Sequence, residues 1–132
     1  MRQTISHVAK PPAKPLMIYD GECNFCRHWI ERWRKLTGLT VDYLPSQATE
    51  VMERFPEIPR DQFDRSVQFI ETDGHVYHGA EAVFRSLAKN PGHQRFWRWY
   101  RRSRVFAVVT EACYRFIARH RSFFSWLSGT HP

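Results

Sequence analysis

Leu16-Met17-Ile18-Tyr19-Asp20-Gly21-Glu22-Cys23-Asn24-Phe25-Cys26 is the stretch on which the reading of this chain turns. Its four leading apolar residues make a short strand that can be buried on both faces. Asp20-Gly21 ends the strand, because that pair favours a tight turn. A helical pattern begins at the second cysteine. Cys26, Trp29, Ile30, Trp33 and Leu36 recur at three- and four-residue steps, with Arg27, Glu31, Arg32, Arg34 and Lys35 off the stripe. Gly38 is a helix stop, and Thr40 to Leu44 alternates as a second strand closed by Pro45. Strand–helix–strand units of this kind are parallel and right-handed.

Downstream, Ser46 is a candidate N-cap for a helix whose face is Val51, Met52 and Phe55 and which Pro56 ends. A polar connection from Pro56 to Arg65 leaves room for one helical turn near Phe63. Ser66 to Thr72 alternates, with Val67, Phe69 and Glu71 facing one way and Gln68, Ile70 and Thr72 the other. Asp73-Gly74 signals a hairpin returning through His75-Val76-Tyr77-His78. Gly79 to Lys89 reads as a short helix with Val83, Phe84 and Leu87 inward, ended by Asn90-Pro91-Gly92. The predicted order is β-α-β-α-β-β-α. From residue 94 the chain reads as helical throughout. Phe96, Trp99 and Tyr100 mark one segment, and Val105, Val108, Val109, Ala112, Cys113, Phe116 and Ile117 form an apolar stripe on the next, which predicts core packing for Cys113.

The sequence of 132 residues suits one domain. At 42% hydrophobic and 25% charged it is too apolar for disorder. Three cysteines are too few for a disulfide-built secreted scaffold. No run near the N-terminus reads as a signal peptide, and no apolar run approaches a membrane span, so a cytoplasmic location is expected. Residues 1–15 carry three prolines and read as an extended leader, residues 16–93 as the domain proper, and residues 94–132 as a helical extension packed on it. That extension holds eight arginines against one acid, Glu111, and so carries the whole formal excess of +7, together with ten of the twenty aromatics.

Cys23-x-x-Cys26 is the chemical feature. Two cysteines three residues apart in a first helical turn share a face and fall within disulfide range. The first lies over the unpaired N–H groups of that turn, where a thiolate is stabilised, and the second lies a turn deeper. This asymmetry suits dithiol exchange: Cys23 attacks a substrate disulfide and Cys26 displaces the reduced product. A zinc site is an alternative, although no second CxxC or CxxH follows. Two inert structural cysteines are another. A c-type haem site is excluded, since Arg27 intervenes before His28. Asp20 has two open readings, a proton relay to the dithiol or an Asx turn. Arg27 and His28 are read as a solvated helix face, and His75 and His78 point to opposite faces of their strand.

Asp20-Gly21-Glu22-Cys23-Asn24-Phe25-Cys26 after an apolar strand resembles the DCC family of thiol–disulfide oxidoreductases, named for its Asp-x-x-Cys-x-x-Cys motif. Asp73-Gly74 followed by Gly79-Ala80-x-Ala82 resembles that family's later hairpin and helix, and Tyr114-Arg115-Phe116-Ile117-Ala118-Arg119-His120-Arg121 its C-terminal helix. The resemblance covers roughly residues 16–121. It implies an α/β, thioredoxin-like fold with additional C-terminal helices, and exchange at Cys23 and Cys26. Three departures from thioredoxin itself stand out, the first being that the inner pair Asn24-Phe25 is neither of the familiar reducing or oxidising dipeptides. Glu22 replaces an aromatic before the first cysteine, and Asp64-Arg65-Ser66-Val67 stands where a cis-proline would precede the third strand.

The expected partners are a disulfide-bearing protein or small thiol substrate and an electron-donating thiol or reductase; no metal or bound cofactor is required. The arginine- and aromatic-rich residues 94–132 admit packing on the domain, peripheral contact with a membrane, or, last, nucleic acid. A contrasting expectation is a catalytically silent binding module that uses those helices for membrane-surface or protein contact.

Overall fold

The computed structural model describes residues 4–90 and 94–120. Its chain runs through β1 (Leu16–Tyr19), α1 (Asn24–Thr37), a 3-10 turn (Gly38–Thr40), β2 (Asp42–Pro45), α2 (Thr49–Arg54), α3 (Arg60–Arg65), β3 (Gln68–Ile70), β4 (Val76–His78), α4 (Gly79–Leu87), α5 (Arg95–Arg102) and α6 (Arg104–Arg119). The strands lie in the order β2-β1-β3-β4. β1 and β2 are parallel, with Met17 opposite Tyr43, while β3 runs antiparallel to both β1 and β4, with Phe69 opposite Met17 on one side and Tyr77 on the other. Among the described residues this is a mixed α/β arrangement of four strands and six helices, consistent with a thioredoxin-like fold.

Alternation along the strands builds two cores. Leu16, Ile18, Ile70 and Val76 pack against Val51, Phe55, Ile58 and Phe63 from the α2–α3 region. Met17, Val67 and Phe69 face the other way, onto Ile30 of α1, Val41 and Ala82 of α4. Helices therefore cover both sides of β3, and all three of its residues are buried. Gln68 is tolerated there because its amide is satisfied. Gln62 Nε2 donates to Gln68 Oε1 at 2.8 Å, and Gln68 Nε2 donates to the Gln62 and Ser66 carbonyls.

Several sequence expectations change. The helical turn expected near Phe63 is a six-residue helix, α3, an element that the predicted β-α-β-α-β-β-α order did not count. The second strand starts at Asp42, because Gly38, at φ +60, leads into the 3-10 turn first. The α2 N-cap is Ala48; Ser46 is instead buried, its backbone N–H donating to the Tyr19 carbonyl at 2.7 Å. On α4 the buried positions are Gly79, Ala80, Ala82, Ser86 and Leu87, while Val83 and Phe84 are half-buried. α4 ends at Leu87, short of the stop expected at Asn90-Pro91-Gly92; residues 91 and 92, and the helix expected beyond His120, lie outside the described residues.

The segment before β1 is tied to the domain. Val8 N–H donates to the Gly74 carbonyl and Val76 N–H to the Ser6 carbonyl, each at 2.9 Å, so Ser6 to Val8 run antiparallel beside β4. Val8 is buried, and Gln62 brackets Ile5 by accepting from its N–H and donating to its carbonyl, both at 2.9 Å.

The C-terminal helices pack on α4 and on each other. They part at Ser103, whose Oγ caps α6 by accepting from Phe106 N–H at 3.1 Å. Glu111 is the pin of this layer. Its carboxylate accepts from the Ala80 and Glu81 N–H groups at the start of α4, both at 3.1 Å, and from the Tyr100 hydroxyl at 2.6 Å. Gly79 is required beneath it: its φ is +67, and a Cβ would stand 2.6 Å from Glu111 Oε1.

Candidate active site

The dithiol sits where β1 hands over to α1. Asp20 closes the turn, with its Oδ1 accepting from Glu22 N–H at 3.0 Å and its carbonyl from Cys23 N–H at 3.3 Å. Gln47, from the segment after β2, clamps the same turn. Its Nε2 donates to Asp20 Oδ1 at 2.8 Å, and its Oε1 accepts from Gly21 N–H at 2.9 Å. A Cβ on Gly21 would lie 2.7 Å from Pro45 Cβ, so only glycine lets the two segments approach this closely.

Cys23 is the N-cap of α1, with extended backbone at φ −90 and ψ 114. Its Sγ accepts from Cys26 N–H at 3.2 Å. The sulfur thus takes the place of the oxygen that usually caps a helix, in the field of the free N–H groups, where negative charge is favoured. No acid occupies the first turn of α1 to compete, and Arg34 and Lys35 lie in its last turn. Both cysteines are half-buried.

Cys26 faces a different environment. It lines an apolar cleft of about 380 Å³, walled by Trp29 and Trp33 of α1, Phe84 of α4, and Cys113, Tyr114 and Ile117 of α6. Val67, the residue before β3, lines it too, and Val67 N–H donates to the Tyr114 hydroxyl at 3.1 Å. Cys113 is therefore not a core residue. It is exposed, at the rim of the cleft that holds Cys26, because the apolar stripe of α6 is wider than the surface on which the helix packs.

The structure gathers Asp20, Cys23 and Cys26 into one turn and adds Gln47 and Tyr114, which the sequence reading passed over. Both act on the backbone of residues distant in the chain, and the C-terminal motif that Tyr114 opens gives no sign of its contact with Val67. Arg27 is exposed, and His28 lies edge-on to Trp29 with ring centroids 5.7 Å apart. His75 is remote from the dithiol turn in its contacts: it pairs with Asp73 at 3.0 Å and stacks on Tyr77. Among the described residues no group of three or more histidine, cysteine or acidic side chains is placed to hold a metal.

A strand, a clamped Asp-Gly turn and a helix N-terminus bring two cysteines close together, an arrangement consistent with a CxxC-type motif in a thioredoxin-like fold. The family model for DCC1-like thiol-disulfide oxidoreductases matches residues 17–127, and the chain belongs to that family. No curated protein and no solved structure matches it. Membership supports thiol–disulfide redox function in general terms.

Proposed function

We propose that the chain is a thiol–disulfide oxidoreductase of the protein-disulfide reductase type, with Cys23 as nucleophile and Cys26 as resolving thiol. The observation that carries this is the Cys26 N–H donated to Cys23 Sγ, which favours the thiolate at Cys23 over the thiol. The Cys23 thiolate attacks one sulfur of a substrate disulfide, forming a mixed disulfide and expelling the other sulfur as a thiolate. Cys26 then loses its proton and attacks Cys23 Sγ, forming the Cys23–Cys26 disulfide and releasing the second substrate thiol. Substrate gains two electrons and the protein loses them; an electron-donating thiol or thiol reductase restores the dithiol. In this reading Asp20 is a positioning residue that also exchanges a proton with the dithiol, and the setting is the cytoplasm, whose thiol pool drives the cycle towards reduction.

The test is a redox titration of the full chain, with free thiols alkylated and counted by mass. Cys23 and Cys26 are expected to oxidise together in one two-electron step, and Cys26→Ser to accumulate a mixed disulfide at Cys23. If no internal disulfide forms at any potential, the reading fails.

A further inference from the structure

We propose that α5 and α6 form a face that docks on an anionic lipid surface, an inference that does not rest on the redox chemistry. α6 divides lengthwise. Phe106, Thr110, Tyr114 and Ile117 turn towards the domain, half-buried. Val105, Val108, Val109 and Phe116 turn outward and are 74%, 60%, 53% and 56% exposed. With the exposed Ala112 they make one apolar strip along a helix of sixteen residues. Arg104, Arg115 and Arg119 border that strip, and no carboxylate of the described residues pairs with any of them. α5 adds exposed Trp99, Arg98, Arg101 and Arg102.

Charge decides what covers the strip. Glu111, the one acid of residues 94–132, is turned inward onto the start of α4 and the Tyr100 hydroxyl, so the outward charges of these helices are all positive. A second copy would press together two tails, each carrying an excess of +7, against their mutual repulsion. A phosphate backbone would satisfy the arginines and leave the valines in water. A lipid surface satisfies both, because the strip sinks among the upper acyl chains while the arginines meet anionic headgroups. No helix of the described residues is long and apolar enough to cross a membrane. The exposed strip runs the length of α6, so the proposed attachment is lateral, along the helix.

The experiment uses the full chain with vesicles of phosphatidylcholine alone and of phosphatidylcholine with about one-third phosphatidylglycerol, the anionic lipid. Co-sedimentation with the anionic vesicles is expected at low salt, about tenfold or more weaker on neutral vesicles, and reversed by high salt. Val109→Asp, and separately the pair Arg104→Glu and Arg119→Glu, are each expected to weaken it by about tenfold or more, with circular dichroism unchanged. Three results overturn the proposal. They are no sedimentation with anionic vesicles at low salt, sedimentation that Val109→Asp leaves intact, and a solution dimer that Val109→Asp dissociates while vesicle binding is absent. The last assigns the strip to a second copy. Since these substitutions lie outside the dithiol turn, a redox titration of the same variants reports on exchange separately.

Discussion

Asp20 shows how much a single side chain carries in this site. One of its oxygens accepts both the Glu22 N–H and the Gln47 amide, which makes the turn that presents Cys23. Asparagine offers the same oxygen without a titratable proton, so the two roles of Asp20 separate. Asp20→Asn is expected to keep stability and slow exchange by about tenfold or more, with a flattened pH–rate profile. Asp20→Ala is expected also to lower stability by about 1–2 kcal/mol in urea denaturation, because two donors lose their acceptor. An unchanged rate and pH profile in Asp20→Asn would confine Asp20 to the turn. The turn that joins Asp20, Cys23 and Cys26 was legible in the sequence because its local bonds span only two or three positions. Gln47, Glu111 and Tyr114 were not. Gln47 reaches Asp20 across 27 positions, Glu111 reaches Ala80 across 31 and Tyr114 reaches Val67 across 47, so no local pattern announces them.

Among the elements, periodicity located the helices better than it oriented them. The stripe from Val105 to Ile117 was readable as helical, but a stripe broader than its docking surface does not say which edge is covered. Packing chose the edge carrying Tyr114 and left the valines outside. On α1 the same ambiguity fell the other way: Ile30 is buried and Leu36 exposed. The short α3 was legible only as a helical turn near Phe63, because its other buried residue, Gln62, is polar and is buried by its amide partners. The join of α4, α5 and α6 has its own pH signature. Burial first, and then the Glu111 carboxylate, hold the Tyr100 hydroxyl well above its ordinary pKa. A raised pKa means the folded state keeps this proton more tightly than the unfolded chain. The stabilisation is therefore whole below about pH 10 and is lost as pH rises towards the raised value. Thermal melting is expected to show a steeper fall in Tm above pH 10 for the native chain than for Tyr100→Phe, which has no proton to lose. Parallel curves would remove Tyr100 from the account.

At the scale of the molecule, the dithiol turn sits on a sheet held from both faces and along one edge. The segment before β1 closes the β4 side, and the Gln62–Gln68 amides tie that segment to the loop before β3. From the far side, α6 reaches the same loop through Tyr114. Tyr114→Phe is expected to leave the fold intact and to raise the rate with extended peptide disulfides relative to a small symmetrical disulfide. Equal effects on both substrates would dissociate Tyr114 from substrate choice. The hydroxyl of Tyr114 spends the Val67 N–H before any visitor arrives. In the proposed exchange reaction, a polypeptide laid along that loop would find this donor already taken, so a protein disulfide is expected to enter sulfur first, from a loop or a frayed end. The chain would then discriminate among its clients less by their sequence than by how far their disulfides protrude.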